Sequence, residues 1–257
     1  MPAANGKTLV ALENVAFGYD NIHTIDNCLK GRQQHHEEEE NDDDNNNDNN
    51  NNDDLPLVFE NVDTSLEAHD RVLLQGYNGC GKTTLVQLIL GQLQPTEGTI
   101  HCYTENSLYF SQTALQQLMR QHGNLTALEF LLLNFIKNAT ATATTTTSES
   151  QARQHLGDWG LTKDLAMSRV ATLSAGQRVR LWLAKQLLIH PKPSLLILDE
   201  VSENVDVETR ESLVELLKTF AGAVLVISHD PDFVERGSFT KIWKLWRYGL
   251  EVTFPDN

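Results

Sequence analysis

Residues 76–84 combine glycines, a lysine and threonines in an order suited to phosphate binding. The segment from Gly76 to Thr83 fits the pattern G-x-x-x-x-G-K-[ST] at every fixed position. Glycines allow backbone N–H groups to turn inward around phosphate oxygens, and the helix that follows adds its positively polarised N-terminal end. We expect Lys82 to reach the terminal phosphates and the Thr83 hydroxyl to bind Mg²⁺. The residues expected to contact a bound nucleotide are Gly76, Tyr77, Asn78, Gly79, Cys80, Gly81, Lys82, Thr83 and Thr84.

Two acids, Asp199 and Glu200, follow the apolar run from Leu195 to Leu198. Such a run is typical of a buried parallel strand, which delivers the residues after it to the carboxyl edge of a sheet. Asp199 is expected to hold Mg²⁺, directly or through water, and Glu200 to align and polarise an attacking water. Taken alone, the pair also fits a solvated strand end; its position after the phosphate-binding segment favours the catalytic interpretation.

A third segment, residues 173–177, precedes a strongly apolar helical pattern. Ser174 and Gln177 have the spacing of an S-x-x-Q capping box, which marks a helix N-terminus. Backbone N–H groups at such an end bind anions. The residues of this segment are Leu173, Ser174, Ala175, Gly176 and Gln177.

Strands and helices that can position these segments follow from the patterning. Residues 9–17, 57–62 and 70–75 have strand patterns, and an apolar helix is predicted from Thr83 to about Leu93. Residues 113–172 have mostly helical patterns, interrupted by a Thr-rich segment, 139–150, that we expect to be flexible. From residue 178 onward helices and strands alternate, which predicts an α/β fold with a parallel sheet covered by helices.

Residues 31–54 form a low-complexity segment rich in Asn, Asp and Glu. Such a composition buries too little apolar surface to offset the entropy of ordering, so we expect a disordered acidic insertion. The segment holds ten acids and one arginine, so it accounts for most of the formal net charge of −15. The remainder is only mildly acidic, which argues against broad attraction for nucleic-acid backbones.

The number of cysteines and the hydropathy of the chain indicate where in the cell the protein is located. Three cysteines in 257 residues are odd in number and widely spaced, which fits neither a disulfide framework nor a metal site. The N-terminus has no signal-peptide pattern, and no stretch approaches the length of a spanning helix. A cytoplasmic location is therefore expected.

The order of the phosphate loop, LSAGQ, LLILDE and ISHD resembles the ATP-binding cassette (ABC) superfamily across nearly the whole chain. The resemblance implies a single ABC ATPase domain over residues 1–257: a P-loop NTPase (RecA-like) core, an antiparallel β subdomain and a helical subdomain at 113–172. It also implies ATP and Mg²⁺ as cofactors. A second cassette, as homodimer or related chain, would cap the terminal phosphate through its own Ser174 and Gly176. Ala175 stands where the family signature LSGGQ has a glycine.

Four further residues match family elements one at a time. Tyr19 resembles the aromatic residue that stacks on adenine, with Phe17 as the alternative. Gln112 resembles the Q-loop glutamine, implying a catalytic role and contact with Mg²⁺. His229 resembles the catalytic switch histidine near the γ-phosphate, and Asp206 the D-loop aspartate.

The amino-acid sequence around the motifs resembles that of the ABC-F branch, whose members are soluble ATPases that act on ribosomes. The similar segments are QRVRLWLAKQLL, YFSQ and SHDPDFV. ABC-F proteins usually carry two cassettes joined by a helical linker, whereas this chain has one, so a half, a fragment or a homodimer all remain open. Two other interpretations stay open as well: a nucleotide-binding subunit that docks on a membrane permease, and an ATP-dependent binding module with little turnover.

Overall fold

The computed structural model describes residues 7–19, 57–104, 106–138, 145–189, 193–201, 205 and 207–255. The predicted acidic insertion at 31–54 lies outside these residues. Strands are numbered β1–β9 and helices α1–α8 in chain order. Within the described residues, no helix combines the length and the apolar character needed to cross a membrane.

An antiparallel sheet is built from the N-terminal part of the chain. It contains β1 (Thr8–Gly18), β2 (Leu57–Glu67) and β4 (Glu97–Cys102), in the order β2-β1-β4. Most valine, leucine and phenylalanine side chains of β1 and β2 are buried, in keeping with the strand-forming tendency of valine and phenylalanine. This sheet confirms the predicted antiparallel β subdomain, although β4 was not recognised in the sequence.

A second sheet of six strands forms the centre of the fold. Its order is β5-β6-β7-β3-β8-β9, and every neighbouring pair is parallel except β8 and β9. All five residues of β6 and of β7 are buried, as expected for central parallel strands. The strands are β3 (Arg71–Gln75), β5 (Ser107–Ser111), β6 (Leu195–Asp199), β7 (Ala223–Ile227), β8 (Lys241–Trp246) and β9 (Gly249–Thr253).

Four helices connect or flank these strands. Helix α1 spans Lys82–Ile89 and is shorter than predicted, because the chain turns at Leu90 and Gly91 takes a positive φ of 69°. Helix α6 begins at Ala175, earlier than the apolar pattern alone indicated. The remaining helices of this group are α6 (Ala175–Ile189), α7 (Val207–Thr219) and α8 (Pro231–Arg236).

The helical subdomain contains α2 (Gln112–His122), α3 (Ala127–Asn138), α4 (Thr145–Asp158), α5 (Asp164–Met167) and a 3₁₀ turn at Val170–Thr172. Residues 145–150, part of the Thr-rich segment that we expected to be flexible, are the first residues of α4. Burial of Ala152 and Leu156 anchors this helix despite its threonines. Residues 139–144 lie outside the described part of the chain.

The central sheet separates two hydrophobic clusters. Leu196 and Leu198 of β6 pack on the side of the helical subdomain. Leu195 and Ile197 pack on the opposite side, with α1 and the antiparallel sheet. Asp199 follows in the same alternation, so its side chain is expected on the α1 side of the sheet.

Candidate active site

The phosphate-loop segment connects β3 to α1, as predicted. Gly79 and Gly81 have φ angles of 84° and 101°, a region that residues with a Cβ rarely adopt. A Cβ at Gly81 would lie 2.7 Å from side-chain atoms of both Val58 and Phe59. The loop therefore needs glycine at this position for shape and for space.

The first residue of the loop, Gly76, is packed as closely as Gly81. A Cβ at Gly76 would lie 2.5 Å from the Cys80 sulfur and from the Leu245 carbonyl oxygen. Cys80 is 1% exposed, and burial raises the pKa of its thiol while nearby Lys82 acts in the opposite direction. Cys80 thus serves the loop as a packed, protonated side chain.

Lys82 is the first residue of α1, and its side chain folds back over the loop. Its Nζ donates hydrogen bonds to the carbonyl oxygens of Gly76 at 2.9 Å and Tyr77 at 3.2 Å. Both partners are neutral carbonyl groups, so neither offsets the positive charge that the ammonium brings to the cavity that it lines. A charge held in this way can engage a phosphate group.

Asp199 closes the carboxyl end of β6 and contacts residues of two other elements. Its Oδ2 accepts a hydrogen bond from the Tyr109 hydroxyl at 2.8 Å and one from the Thr83 hydroxyl at 3.4 Å. Burial raises the pKa of Asp199, and the neighbouring Glu200 raises it further, whereas Tyr109, Thr83 and Lys82 lower it. Burial and the Asp199 carboxylate also raise the pKa of Tyr109, which therefore stays a hydrogen-bond donor.

Glu200 and His229 come together because their strands are neighbours. β6 and β7 run in parallel with Asp199 paired to Ile227, so the residues that follow meet at one edge of the sheet. Glu200 adopts a positive φ of 54°, and its backbone N–H donates to the Ile227 oxygen at 2.9 Å. A non-glycine residue in this region marks local strain, which is common at functional sites.

A cavity of about 600 Å³ brings together nine of the predicted residues. Gly76, Tyr77 and Cys80, although predicted to contact nucleotide, shape the loop without lining the cavity. Asp199 also lies outside the lining and is linked to it through Thr83. The lining residues are Tyr19, Val58, Asn78, Gly79, Gly81, Lys82, Thr83, Thr84, Glu200 and His229.

Tyr19 occupies the end of the cavity nearest β1. Its hydroxyl lies 2.9 Å from the Thr84 hydroxyl, and its ring packs edge-on against Phe17 with centroids 4.9 Å apart. Phe17 is 6% exposed and does not line the cavity. Of the two aromatic candidates, Tyr19 is therefore the one whose ring lines this space.

The segment 173–177 forms the predicted capping box at the start of α6. The Ser174 N–H donates to Gln177 Oε1 at 2.9 Å, and the Gln177 N–H donates to Ser174 Oγ at 3.2 Å. A Cβ at Gly176 would lie 2.6 Å from Thr209 Oγ1, so this glycine lets α6 approach α7. Among the described residues that line the cavity, none belongs to this segment.

The side chains of two predicted site residues are not described by the structure, and two other residues at the site were not predicted. Gln112 begins α2, but its side chain, like the whole of Asp206, lies outside the described residues. Val58 and Tyr109 were overlooked as site residues. Strand alternation in 57–62 could have suggested Val58, whereas the role of Tyr109 depends on β5 lying beside β6.

A sequence profile of the family described as ABC transporter matches residues 59–203, which include the phosphate loop, the segment 173–177 and both acids. The chain belongs to the ABC transporter family. It is therefore an ATPase domain of the ABC type, and its fold is that of an ATP-binding cassette.

Curated relatives include members of the ABC-F branch. ATP-binding cassette sub-family F member 3 of Rattus norvegicus is 33% identical over 197 residues, which cover 72% of this chain and 26% of that protein. The ATP-binding protein Uup-like of Haemophilus influenzae is 35% identical over 180 residues, covering 69% of this chain and 37% of that protein. The cassette thus spans only 26% and 37% of the length of these two relatives.

Solved structures of cassettes share the fold at lower identity. A putative metal-chelate type ABC transporter in an inward-facing conformation matches with a TM-score of 0.65 and 21% identity, over 96% of this chain and 84% of that chain. A dimeric ATP-binding cassette in a post-hydrolysis state, bound to ADP and Pi, matches with a TM-score of 0.58 and 19% identity, over 96% and 99%. At these identities the likeness establishes the fold alone.

Proposed function

We propose that the cassette binds Mg-ATP and hydrolyses it to ADP and phosphate at a composite site completed by a second cassette. The observation that carries this proposal is the cavity in which the glycine cradle, Lys82, Thr83, Glu200 and His229 converge. The lining thus combines the Lys82 cation and the glycine backbone with a carboxylate and an imidazole. This is the arrangement that phosphoryl transfer to water requires.

The residues present suit both ATP and Mg²⁺. The cavity beside the α1 N-terminus is lined by Gly79, Gly81 and Lys82, so phosphate oxygens would meet backbone N–H groups and an ammonium there. The hydroxyl of Thr83 and the carboxylate of Asp199 are oxygen ligands of the kind Mg²⁺ prefers, and Gln112 is the further proposed ligand. When bound, Mg²⁺ neutralises charge on the phosphates.

Each remaining residue has a role that its chemistry supports. Lys82 neutralises the terminal phosphates, and Glu200 accepts hydrogen bonds from the attacking water and orients it. His229 donates to the γ-phosphate from the neighbouring strand end. Tyr19 stacks on the adenine ring.

The signature segment of a second cassette supplies the lid of the site in this proposal. Support comes from the lining of the cavity, to which residues 173–177 of the same chain, all of them described, do not contribute. The capping box nevertheless holds the α6 N-terminus in a form that can bind an anion. Asp206 is proposed to contact the partner cassette.

Glu200→Gln tests this proposal. The variant keeps the cradle and Lys82 but removes the carboxylate that orients water, so we expect ATP affinity near that of the wild type and hydrolysis slowed by about 100-fold or more. Gel filtration with Mg-ATP should show a dimer that is absent without nucleotide. Normal hydrolysis by this variant would contradict the assignment of Glu200.

The coupled process that we propose is translation, with the cassette acting as a cytoplasmic ABC-F-like ATPase. The supporting observation is its similarity to sub-family F proteins. Co-sedimentation of Glu200→Gln with ribosomes in Mg-ATP, but not in ADP, is expected. Co-purification with a membrane permease instead would favour the alternative of a transporter subunit.

Low turnover is the remaining alternative, and Ala175 is the feature that favours it. A Cβ replaces the hydrogen of the family glycine at the first residue of α6. Single-turnover hydrolysis by the wild type and by Ala175→Gly separates the two cases. A wild-type rate equal to that of Glu200→Gln would favour a binding module.

A further inference from the structure

Tyr109 is the one residue of β5 whose hydroxyl contacts the proposed metal-binding carboxylate. In the β5–β6 ladder Tyr109 pairs with Ile197, and Ser111 pairs with Asp199. Tyr109 and Asp199 are therefore diagonal neighbours on the same face of the sheet. The 2.8 Å bond from the phenol to Asp199 Oδ2 joins them directly.

The carboxylate oxygen that Tyr109 holds is shared with Thr83. The Thr83 hydroxyl approaches Asp199 Oδ2 at 3.4 Å, which is longer and weaker than the phenol bond. Asp199 itself is 7% exposed, so water contributes little to its orientation. Tyr109 thus makes the shorter of two bonds that fix the position of this oxygen.

We propose that Tyr109 is a positioning residue that holds Asp199 in the conformation that binds Mg²⁺. This inference rests on the proposed function, in which Asp199 and Thr83 hold the metal. The phenol is rigid and neutral, so it orients the carboxylate without competing for the cation or cancelling its charge. Preorganised ligands bind metal ions more tightly because less conformational freedom is lost on binding.

The contact is also specific to the hydroxyl group. The ring of Tyr109 packs in the hydrophobic cluster on the α1 side of the sheet. Tyr109→Phe preserves this packing and removes the hydroxyl, and with it the bond to Asp199 and the hydrogen-bond interaction with Ser111. A purely structural role and a positioning role therefore predict different results for this one substitution.

The experiment measures metal binding directly. Mn²⁺ replaces Mg²⁺, and electron paramagnetic resonance records its affinity for the complex of protein and a slowly hydrolysed ATP analogue. In Tyr109→Phe we expect the Mn²⁺ dissociation constant to rise about tenfold, as for loss of one hydrogen bond to a charged group. The Mg²⁺ concentration for half-maximal hydrolysis should rise in parallel. Analogue affinity in EDTA should stay unchanged, because the cradle and Lys82 are intact.

Tyr103→Phe is the matched control, since Tyr103 is 57% exposed and lies outside the cavity. It should leave every measured quantity unchanged. An unaltered Mn²⁺ affinity in Tyr109→Phe would overturn the positioning role, and so would an equal loss of analogue affinity with and without metal. A wild type with no metal-dependent nucleotide binding would instead overturn the proposed function itself.

Discussion

At the scale of single residues, Lys82 combines two tasks that a substitution would remove together. Its ammonium bonds to the carbonyls of Gly76 and Tyr77, and it places a positive charge on the cavity wall. Lys82→Ala should therefore weaken ATP binding by about 100-fold or more, measured by isothermal titration calorimetry. Lys244→Ala, an exposed lysine of β8, is the control and should bind normally. Unchanged affinity in Lys82→Ala would contradict the nucleotide site.

Asp199 is a residue whose proposed role as a metal ligand opposes the stability of the fold. Burial raises its pKa above the ordinary value of 3.8, so the folded state binds this proton more tightly than the unfolded state. The metal-free chain consequently loses stability as pH rises through the interval between the two pKa values. In the metal-free protein at neutral pH, the ionised carboxylate of Asp199 is a buried negative charge.

Asp199→Asn should therefore stabilise the metal-free protein at neutral pH. The amide oxygen still accepts from Tyr109, while the buried charge is gone, so the free energy of unfolding should rise by about 1 kcal/mol. Urea denaturation in EDTA measures this, and the gain should vanish near about pH 3, where the wild-type carboxyl is protonated in both states. A less stable variant at neutral pH would contradict the buried-charge argument.

At the scale of elements, the contact between α6 and α7 depends on Gly176. The added Cβ of Gly176→Ala would lie 2.6 Å from Thr209 Oγ1, which is too close, and 3.1 Å from the Thr209 Cα, so the two helices would have to move apart. We expect a loss of stability of about 1–3 kcal/mol, measured by thermal or urea unfolding. Ala175→Gly, one residue earlier, should cost less than about 1 kcal/mol. A neutral Gly176→Ala would show that the two helices separate without cost.

Helices and strands that contain a motif were predicted better from the sequence than helices and strands that lie between motifs. Local spacing placed the phosphate loop and the two acids at the carboxyl end of β6, because a strand, a turn and a helix follow one another in the chain. β4 escaped recognition, since all but one of its residues are exposed and show no alternation. Residues 145–150 join α4 because Ala152 and Leu156 pack into the core, a tertiary effect that local threonine preference cannot reveal.

Within the site, contacts between strands that are distant in the chain could not be predicted from the sequence. Tyr109 and Asp199 are 90 residues apart, and only the order of the sheet makes them neighbours. Spacing therefore predicted Thr83, Asp199 and Glu200, but it could not predict the phenol that holds one of them.

At the scale of the whole molecule, the strands that flank residues 20–56 are already paired. Gly18 near the end of β1 lies opposite Leu57 at the start of β2. A much shorter connection can therefore join the two strands, and loop closure depends only weakly on length. Deletion of residues 31–54 should leave the melting temperature within about 3 °C and ATP affinity within about twofold. A large fall in either quantity would show that the acidic segment contacts the cassette.

The second cassette required by the proposed composite site can be tested by mixing two inactive variants. Lys82→Ala removes the phosphate contact of its own chain, and Ser174→Arg blocks the lid that its chain offers to a partner. In a mixed homodimer, one site combines both defects, whereas the other has an intact Lys82 and an intact Ser174.

Equal amounts of the two variants should recover about a quarter of the wild-type ATPase rate, since half of the dimers are mixed and half of their sites are intact. Each variant alone should be inactive. As a control, the active variant Lys244→Ala replaces one of the two inactive variants in the mixture. The rate should then be that of Lys244→Ala, reduced only by its share of the total protein. A mixture that stays inactive would contradict a homodimer with shared sites. Activity in Ser174→Arg alone would show that the cavity needs no lid from a second chain.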